Sequence, residues 1–384
     1  MTKKYGYWKT NGLEFLNKVE ALLYATKNDT KVKFCYHDEV WKKFDRNLLG
    51  KVSLNQLYRE QAQRLRDKYK YLVLYYSGGA DSHNILMTYI NNNIKLDEII
   101  VRWPKALTEG KLYTANTNDT TTRNIWSEWD YAVKPTLEWL RNNHPEIKIT
   151  IKDYTENLNE KNLESVIENS NHTRGGLLLS FAKTDSNYGK KDIGHIFGVD
   201  KPTLAVVGLD VYMFFNDLAT SMLYSDKPGD IDPDNIECFY WDPDFPLLTF
   251  EMAYQTSEYF NVNRDKRKFL RLMDQAEGVK QDASGFNLLL TLMTQFQNNI
   301  VKKICYDTWD NKFQADKSIS ASRQDKWFWF FECSEFSSLK DVFTSNIKSI
   351  TNQIDERFLI SFNSFNPSVK TTLSDVHFVR KLDV

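Results

Sequence analysis

Tyr71-Leu-Val-Leu-Tyr-Tyr76 runs directly into Ser77-Gly-Gly-Ala-Asp-Ser82. The first stretch is aliphatic and aromatic throughout, and predicts a buried β-strand. The Ser-Gly-Gly step predicts a tight turn. Ile85, Leu86, Tyr89 and Ile90 then recur at helical spacing and predict a helix over 81–92. Strand, glycine turn and helix N-terminus in that order suit an anion. Glycines let the backbone approach a ligand closely, and the first-turn amides point outward with partial positive charge. Ser77 and Ser82 supply hydroxyl donors. Asp81 supplies a carboxylate able to hold a divalent cation against phosphate oxygens. The same residues also read as a Gly-Gly turn whose helix is capped by Asp81 or Ser82.

The flanking pattern alternates strand and helix. Upstream, residues 12–26 carry Leu13, Leu16, Val19, Leu22 and Leu23 at helix-like spacing, residues 31–36 alternate like a short strand, and Ser53 caps an expected helix reaching Tyr69. Downstream, strands are expected at 97–102, 147–151 and 193–198, with helices over 123–143, 158–170 and 174–185. Residues 203–207 and 211–215 read as a hairpin around Gly208-Leu-Asp210. This order predicts an α/β fold, a doubly wound and mostly parallel sheet with helices on both faces. The acidic, proline-rich stretch 225–246 suggests a boundary. The expected division is an N-terminal α/β extension over 1–70, a phosphate-binding domain over 71–225 and a mainly helical region over 226–384. Apolar clusters at 288–296 and 327–331 support that last region, and a tail or final strand is expected over 364–384.

Bulk properties narrow the class. The 384 residues carry a formal net charge of −1, which does not point to nucleic acid or an anionic membrane, although a local basic patch is compatible with it. The four cysteines (Cys35, Cys238, Cys305, Cys333) are widely spaced, which argues against a disulfide framework and for a cytoplasmic compartment. No apolar run reaches membrane-spanning length, and the first residues lack the apolar core of a signal peptide. No Gly-x-x-x-x-Gly-Lys-Ser/Thr occurs, so a Walker-type NTPase is not supported.

The Ser77-Gly-Gly-x-Asp-Ser82 segment after its strand resembles the pyrophosphate-binding loop of the PP-loop ATP pyrophosphatases, relatives of asparagine synthetase and the phosphoadenylylsulfate reductases. The resemblance implies a HUP-like nucleotide-binding domain, ATP and Mg²⁺ as cofactors, and a small-molecule or nucleotide substrate. The implied reaction is adenylation of a substrate oxygen (carboxylate, amide or nucleobase carbonyl) with release of pyrophosphate. A nucleophile, nitrogen for preference, then displaces AMP. Ser77, Gly78, Gly79, Ala80 and Ser82 would hold the pyrophosphate and Asp81 would position Mg²⁺. Gly198-Val-Asp-Lys-Pro202 looks like the Gly-Val/Ile-Arg segment of the reductase branch, with Asp200-Lys201 where that branch tends to have Arg. Lys201 would then neutralise the leaving group and Asp200 would help hold Mg²⁺; the segment also reads as a turn with a surface ion pair. Arg174, before Gly175-Gly176, suits bidentate phosphate or carboxylate recognition, and also reads as a solvated loop residue. Arg102 would border the adenosine or cap its strand. His83 would approach the nucleotide or pack on a neighbouring strand, and His195 reads as core. The aspartates at 230, 232 and 234 read as a solvated loop. Paired cysteines for sulfur relay are absent. Two alternatives stay open: a reductase-like enzyme, and a nucleotide-binding accessory protein without chemistry. A homo-oligomer is compatible with either.

Overall fold

The structure is a computed structural model that describes residues 5–103, 132–153, 192–198, 202–207, 209–217, 235–262, 302–306, 345, 348–349, 351–362, 366–369 and 372–383. Its centre is a five-stranded sheet built from β4 (Tyr71–Tyr75), β5 (Glu98–Trp103), β6 (Lys148–Asp153), β7 (Ile193–Phe197) and β10 (Ile236–Cys238). The spatial order is β10-β7-β4-β5-β6, and every pairing is parallel. This is an α/β fold. β4 lies in the middle, with Leu72, Val73 and Leu74 all buried, as a strand covered on both faces requires. The chain runs outward from β4 to β6 on one side, then returns to place β7 and β10 on the other. The strand order therefore reverses between β4 and β7. In open α/β sheets ligands bind outside the carboxyl ends of the strands at such a point.

Among the described residues, four helices connect to or pack beside the sheet: α3 (Leu54–Lys68), α4 (Ala80–Asn91), α5 (Lys134–Asn143) and α6 (Pro246–Val262). Ser53 caps α3 by accepting a hydrogen bond from the Gln56 N–H at 3.3 Å. The buried side of α3 carries Leu54, Leu57, Ala62 and Leu65, as its spacing predicts, together with Tyr58 and Gln61.

Two smaller antiparallel sheets flank the centre. One is β2-β1-β3, from β1 (Tyr7–Thr10), β2 (Leu13–Phe15) and β3 (Lys33–Cys35). Residues 13–15 are therefore strand, and the first helix, α1, runs only over Lys18–Asn28. The other is β13-β9-β8, from the expected hairpin β8 (Thr203–Val207) and β9 (Asp210–Phe214) joined by β13 (His377–Lys381). Beyond residue 226 the described residues include α6 and the short α7 (Lys302–Cys305). They also include β10, β13 and a hairpin of β11 (Leu359–Phe362) with β12 (Asn366–Val369), so strands run through a stretch read as mainly helical. The fifth strand of the parallel sheet lies past the expected division at 225/226. No described helix is long and apolar enough to cross a membrane.

The main apolar cluster of the described residues extends from Tyr5 to Leu382. Tyr36 of the N-terminal segment packs on Phe215 and Trp241, and its hydroxyl donates to the Trp241 carbonyl. Trp41 of α2 (Asp38–Lys43) packs on Phe215 at a 4.8 Å centroid distance. Cys35, Cys238 and Cys305 are buried. One polar tie is fully enclosed. Lys18 Nζ lies 2.7 Å from Asp217 Oδ2, each side chain only 1 % exposed. Trp8 Nε1 donates to the same oxygen at 2.9 Å, and the Thr372 hydroxyl donates to it as well.

At the amino edge of the sheet, Asp97 joins α3, β4 and β5. Its carboxylate takes Lys95 at 2.7 Å, Arg66 at 2.5 Å and the Leu72 N–H at 2.8 Å. Burial alone would raise this carboxyl, but the hydrogen bonds from Lys95, Arg66 and Leu72 outweigh it and hold the pKa below its usual value. A depressed folded-state pKa adds stability above the unfolded carboxyl value of about 4. That contribution is lost as pH falls through the folded value. Denaturation midpoints should therefore drop between pH 6 and pH 3, and Asp97→Asn should flatten part of that drop while lowering stability at pH 6 by about 1–3 kcal/mol. An unchanged pH slope in the variant would rule Asp97 out as a contributor.

Candidate functional site

The site is assembled where β4 stops. Gly78 has φ +73°, a conformation that glycine adopts without strain, and it turns the chain from the strand toward α4. Gly79 is the N-cap of α4 in extended geometry, and no side chain caps the helix from that position. Neither Asp81 nor Ser82 serves as the cap. Both lie inside the helix, and the first-turn amides keep their outward partial charge.

The two serine hydroxyls knit the loop together. Ser77 N–H donates to Ser82 Oγ at 3.2 Å, and Gly79 N–H donates to Ser77 Oγ at 3.2 Å. Ser82 Oγ donates to the Gly79 carbonyl at 3.2 Å, and the two hydroxyl oxygens lie 3.2 Å apart. Ser82 is buried whereas Ser77 is exposed. Ser82 thus shapes the turn, and Ser77 is the serine at the surface of the site.

β7 delivers Gly198, the first residue of the second expected segment, to the same place. Gly198 follows β7 directly, and a Cβ built on it would lie 2.9 Å from Ser82 N and 3.1 Å from the Asp81 carbonyl carbon. The first turn of α4 therefore rests on the Gly198 backbone, an approach only glycine permits. The loop and Gly198, more than a hundred residues apart, meet at the reversal of strand order, between β4 and β7. Arg102 is the penultimate residue of β5 and pairs with Lys152. Arg174, Asp200 and Lys201 lie outside the described residues. So do the expected helices 158–170 and 174–185, the aspartates at 230, 232 and 234, the apolar clusters at 288–296 and 327–331, and Cys333.

Several residues that sequence reasoning did not place surround Asp81. The Tyr240 hydroxyl donates to the Asp81 carbonyl at 2.9 Å, and the Tyr306 hydroxyl donates to Asp81 Oδ1. Asn84 Nδ2 donates to the Tyr240 hydroxyl at 3.1 Å. Burial first, and then the nearby Asp81 charge, push both phenols well above their ordinary pKa, so they stay protonated donors. Periodicity gives no signal for Tyr240 or Tyr306, because neither is near the loop in sequence. Asn84 also borders a polar groove of about 720 Å³ between α3 and α4, lined mostly by carboxamides, that does not include residues 77–82.

The histidines have structural partners. His83 Nδ1 lies 3.1 Å from the Tyr76 hydroxyl, which also donates to Thr136 on α5. His195 is fully buried within β7, beside Tyr75.

The donor set suits a phosphate-bound cation. Mg²⁺ is commonly held by one or two carboxylates plus substrate phosphates rather than by an all-protein cage. Among the described residues Asp81 is the carboxylate at the loop, and no group of three or more His, Cys, Asp or Glu stands ready for a metal. The uncapped helix start and the Gly198 approach suit a phosphate chain. Compared with models of protein families and with curated proteins, the chain matches none.

Proposed function

We propose that the chain is a PP-loop ATP pyrophosphatase with a HUP-like domain, which binds ATP with Mg²⁺ and adenylates a substrate oxygen with release of pyrophosphate. A nitrogen nucleophile then displaces AMP. The observation that carries this reading is the uncapped start of α4, closed against Gly198 at the reversal of strand order. Bound ATP supplies a phosphoric anhydride with an electrophilic α phosphorus. The protein's part is electrostatic. Gly78 and Gly79 let the backbone come close to the terminal phosphates, and the first turn of α4 offers them its helix partial charge, where charge builds as pyrophosphate departs. Ser82 holds the turn in shape, and Asp81 provides the carboxylate for the cation. Lys201, Arg174, Asp200 and Arg102 are assigned to leaving-group, substrate, cation and adenosine contacts on sequence grounds.

The test is release of AMP and pyrophosphate from ATP across a panel of carboxylate, amide and nucleobase acceptors. The expected result is Mg²⁺-dependent release with at least one acceptor. ATP binding without release from any acceptor would replace the enzyme with a nucleotide-binding accessory protein. Turnover that requires a thiol donor would favour the reductase-like reading. Failure to bind ATP would overturn the proposal.

A further inference from the structure

Asp81 is gripped at two points by residues far along the chain. Tyr240, just past β10, holds its main-chain carbonyl, and Tyr306, just past α7, holds its carboxylate; they lie 159 and 225 residues away. The placement of Tyr306 is built in. The hydroxyl of Tyr58, on α3, donates to the Cys305 carbonyl at 2.9 Å, and Thr256 Oγ1, on α6, lies 3.9 Å from Cys305 Sγ. The ring of Tyr306 packs on Tyr240 at 5.9 Å and on Tyr58 at 6.4 Å. A fully buried phenol is thus fixed on one oxygen of a carboxylate in the first turn of α4.

The chemistry of the donor matters. Lysine or arginine in this place would put a positive charge beside the carboxylate and compete with a cation. A phenol donates one hydrogen bond and stays neutral, so it sets the carboxylate's orientation without adding a charge of its own. Hydrogen bonds of this kind orient metal-ligating carboxylates, and losing one typically costs about 10–100-fold in metal affinity.

We propose that Tyr306 is a positioning residue: its hydroxyl holds the Asp81 carboxylate in the orientation that meets a divalent cation on the bound nucleotide, so the segment 302–306 completes the site. The inference rests on the reading of Asp81 as the cation ligand. Tyr306→Phe keeps the ring packing and removes only the donor. The measurement uses Mn²⁺ and an α,β-methylene ATP analogue, with protein in excess so that all nucleotide is bound. Mn²⁺ affinity is read from its paramagnetic resonance signal. Affinity for the analogue in EDTA is measured separately by calorimetry.

Tyr306→Phe is expected to weaken Mn²⁺ binding by about 10–100-fold with metal-free nucleotide affinity unchanged. Asp81→Asn should weaken Mn²⁺ binding at least as much. Unchanged or tighter Mn²⁺ binding in Tyr306→Phe, alongside a loss in Asp81→Asn, would overturn the role of Tyr306 alone. An equal loss of metal-free nucleotide affinity in Tyr306→Phe would make the tyrosine part of the loop's scaffold and also overturn it. Unchanged Mn²⁺ binding in Asp81→Asn would remove Asp81 as the cation ligand, and the inference with it.

Discussion

Lys18→Met is expected to destabilise the protein by about 3–5 kcal/mol, a large part of the total stability of a typical domain. The ammonium of Lys18 and the carboxylate of Asp217 are both shut away from water, 2.7 Å apart. Removing the ammonium leaves a buried carboxylate whose remaining donors, Trp8 and Thr372, carry no charge. Water cannot reach it to compensate. Chemical denaturation should show a lower midpoint with an unchanged slope. The double variant Lys18→Met/Asp217→Leu should recover much of the loss, because an apolar pair of similar volume avoids the desolvation that the ion pair incurs. A loss below about 1 kcal/mol in the single variant, the range of an exposed pair, would show that the pair is not closed to solvent.

Gly198→Ala should weaken nucleotide binding by about tenfold, the equivalent of about 1.4 kcal/mol. The new methyl carbon would sit 2.9 Å from Ser82 N and 3.1 Å from the Asp81 carbonyl carbon. Both are backbone atoms, so the first turn of α4 must move away from β7. The amides of the loop and the Asp81 carboxylate move with it. Overpacking of this kind costs about 1–3 kcal/mol in stability, so the variant should stay folded. Calorimetric titration with ATP in parallel with thermal unfolding separates the two effects. Wild-type affinity in the alanine variant would mean that the junction of β7 with α4 does not shape the site.

The central unit was legible because its signals are local. The Tyr71–Tyr75 strand and the helix from Ala80 each declare themselves within a dozen residues, and Ser53 marks the start of α3 by its own side chain. The misreading of residues 12–16 is instructive. Asn11 and Gly12, with φ +46° and +80°, form a two-residue hairpin turn between Thr10 and Leu13. Asn-Gly is a strong local hairpin signal, but the leucine spacing drew the helix too far upstream. β10 escaped for a different reason: Ile236–Cys238 is three residues long and follows a proline- and aspartate-rich stretch, so no period can be counted. Within the site, the loop and Gly198 could be read because glycine leaves a mark in sequence. Tyr240 and Tyr306 could not, because long-range contacts made by tyrosines have no periodic trace.

The Lys18–Asp217–Thr372 tie also bears on the order of events during synthesis. Trp8 and Lys18 are made well before their partners, which arrive at residues 217 and 372. Arg46 likewise donates to the Phe378 carbonyl at 2.8 Å, and Lys33 pairs with Asp375 at 2.6 Å. The N-terminal sheet must wait, with its aromatic face uncovered, until most of the polypeptide has been made. Closing contacts over such spans is slow, and exposed apolar surface in the interval invites association between nascent chains. These long-range ties therefore make the covering of the N-terminal sheet a late event in folding.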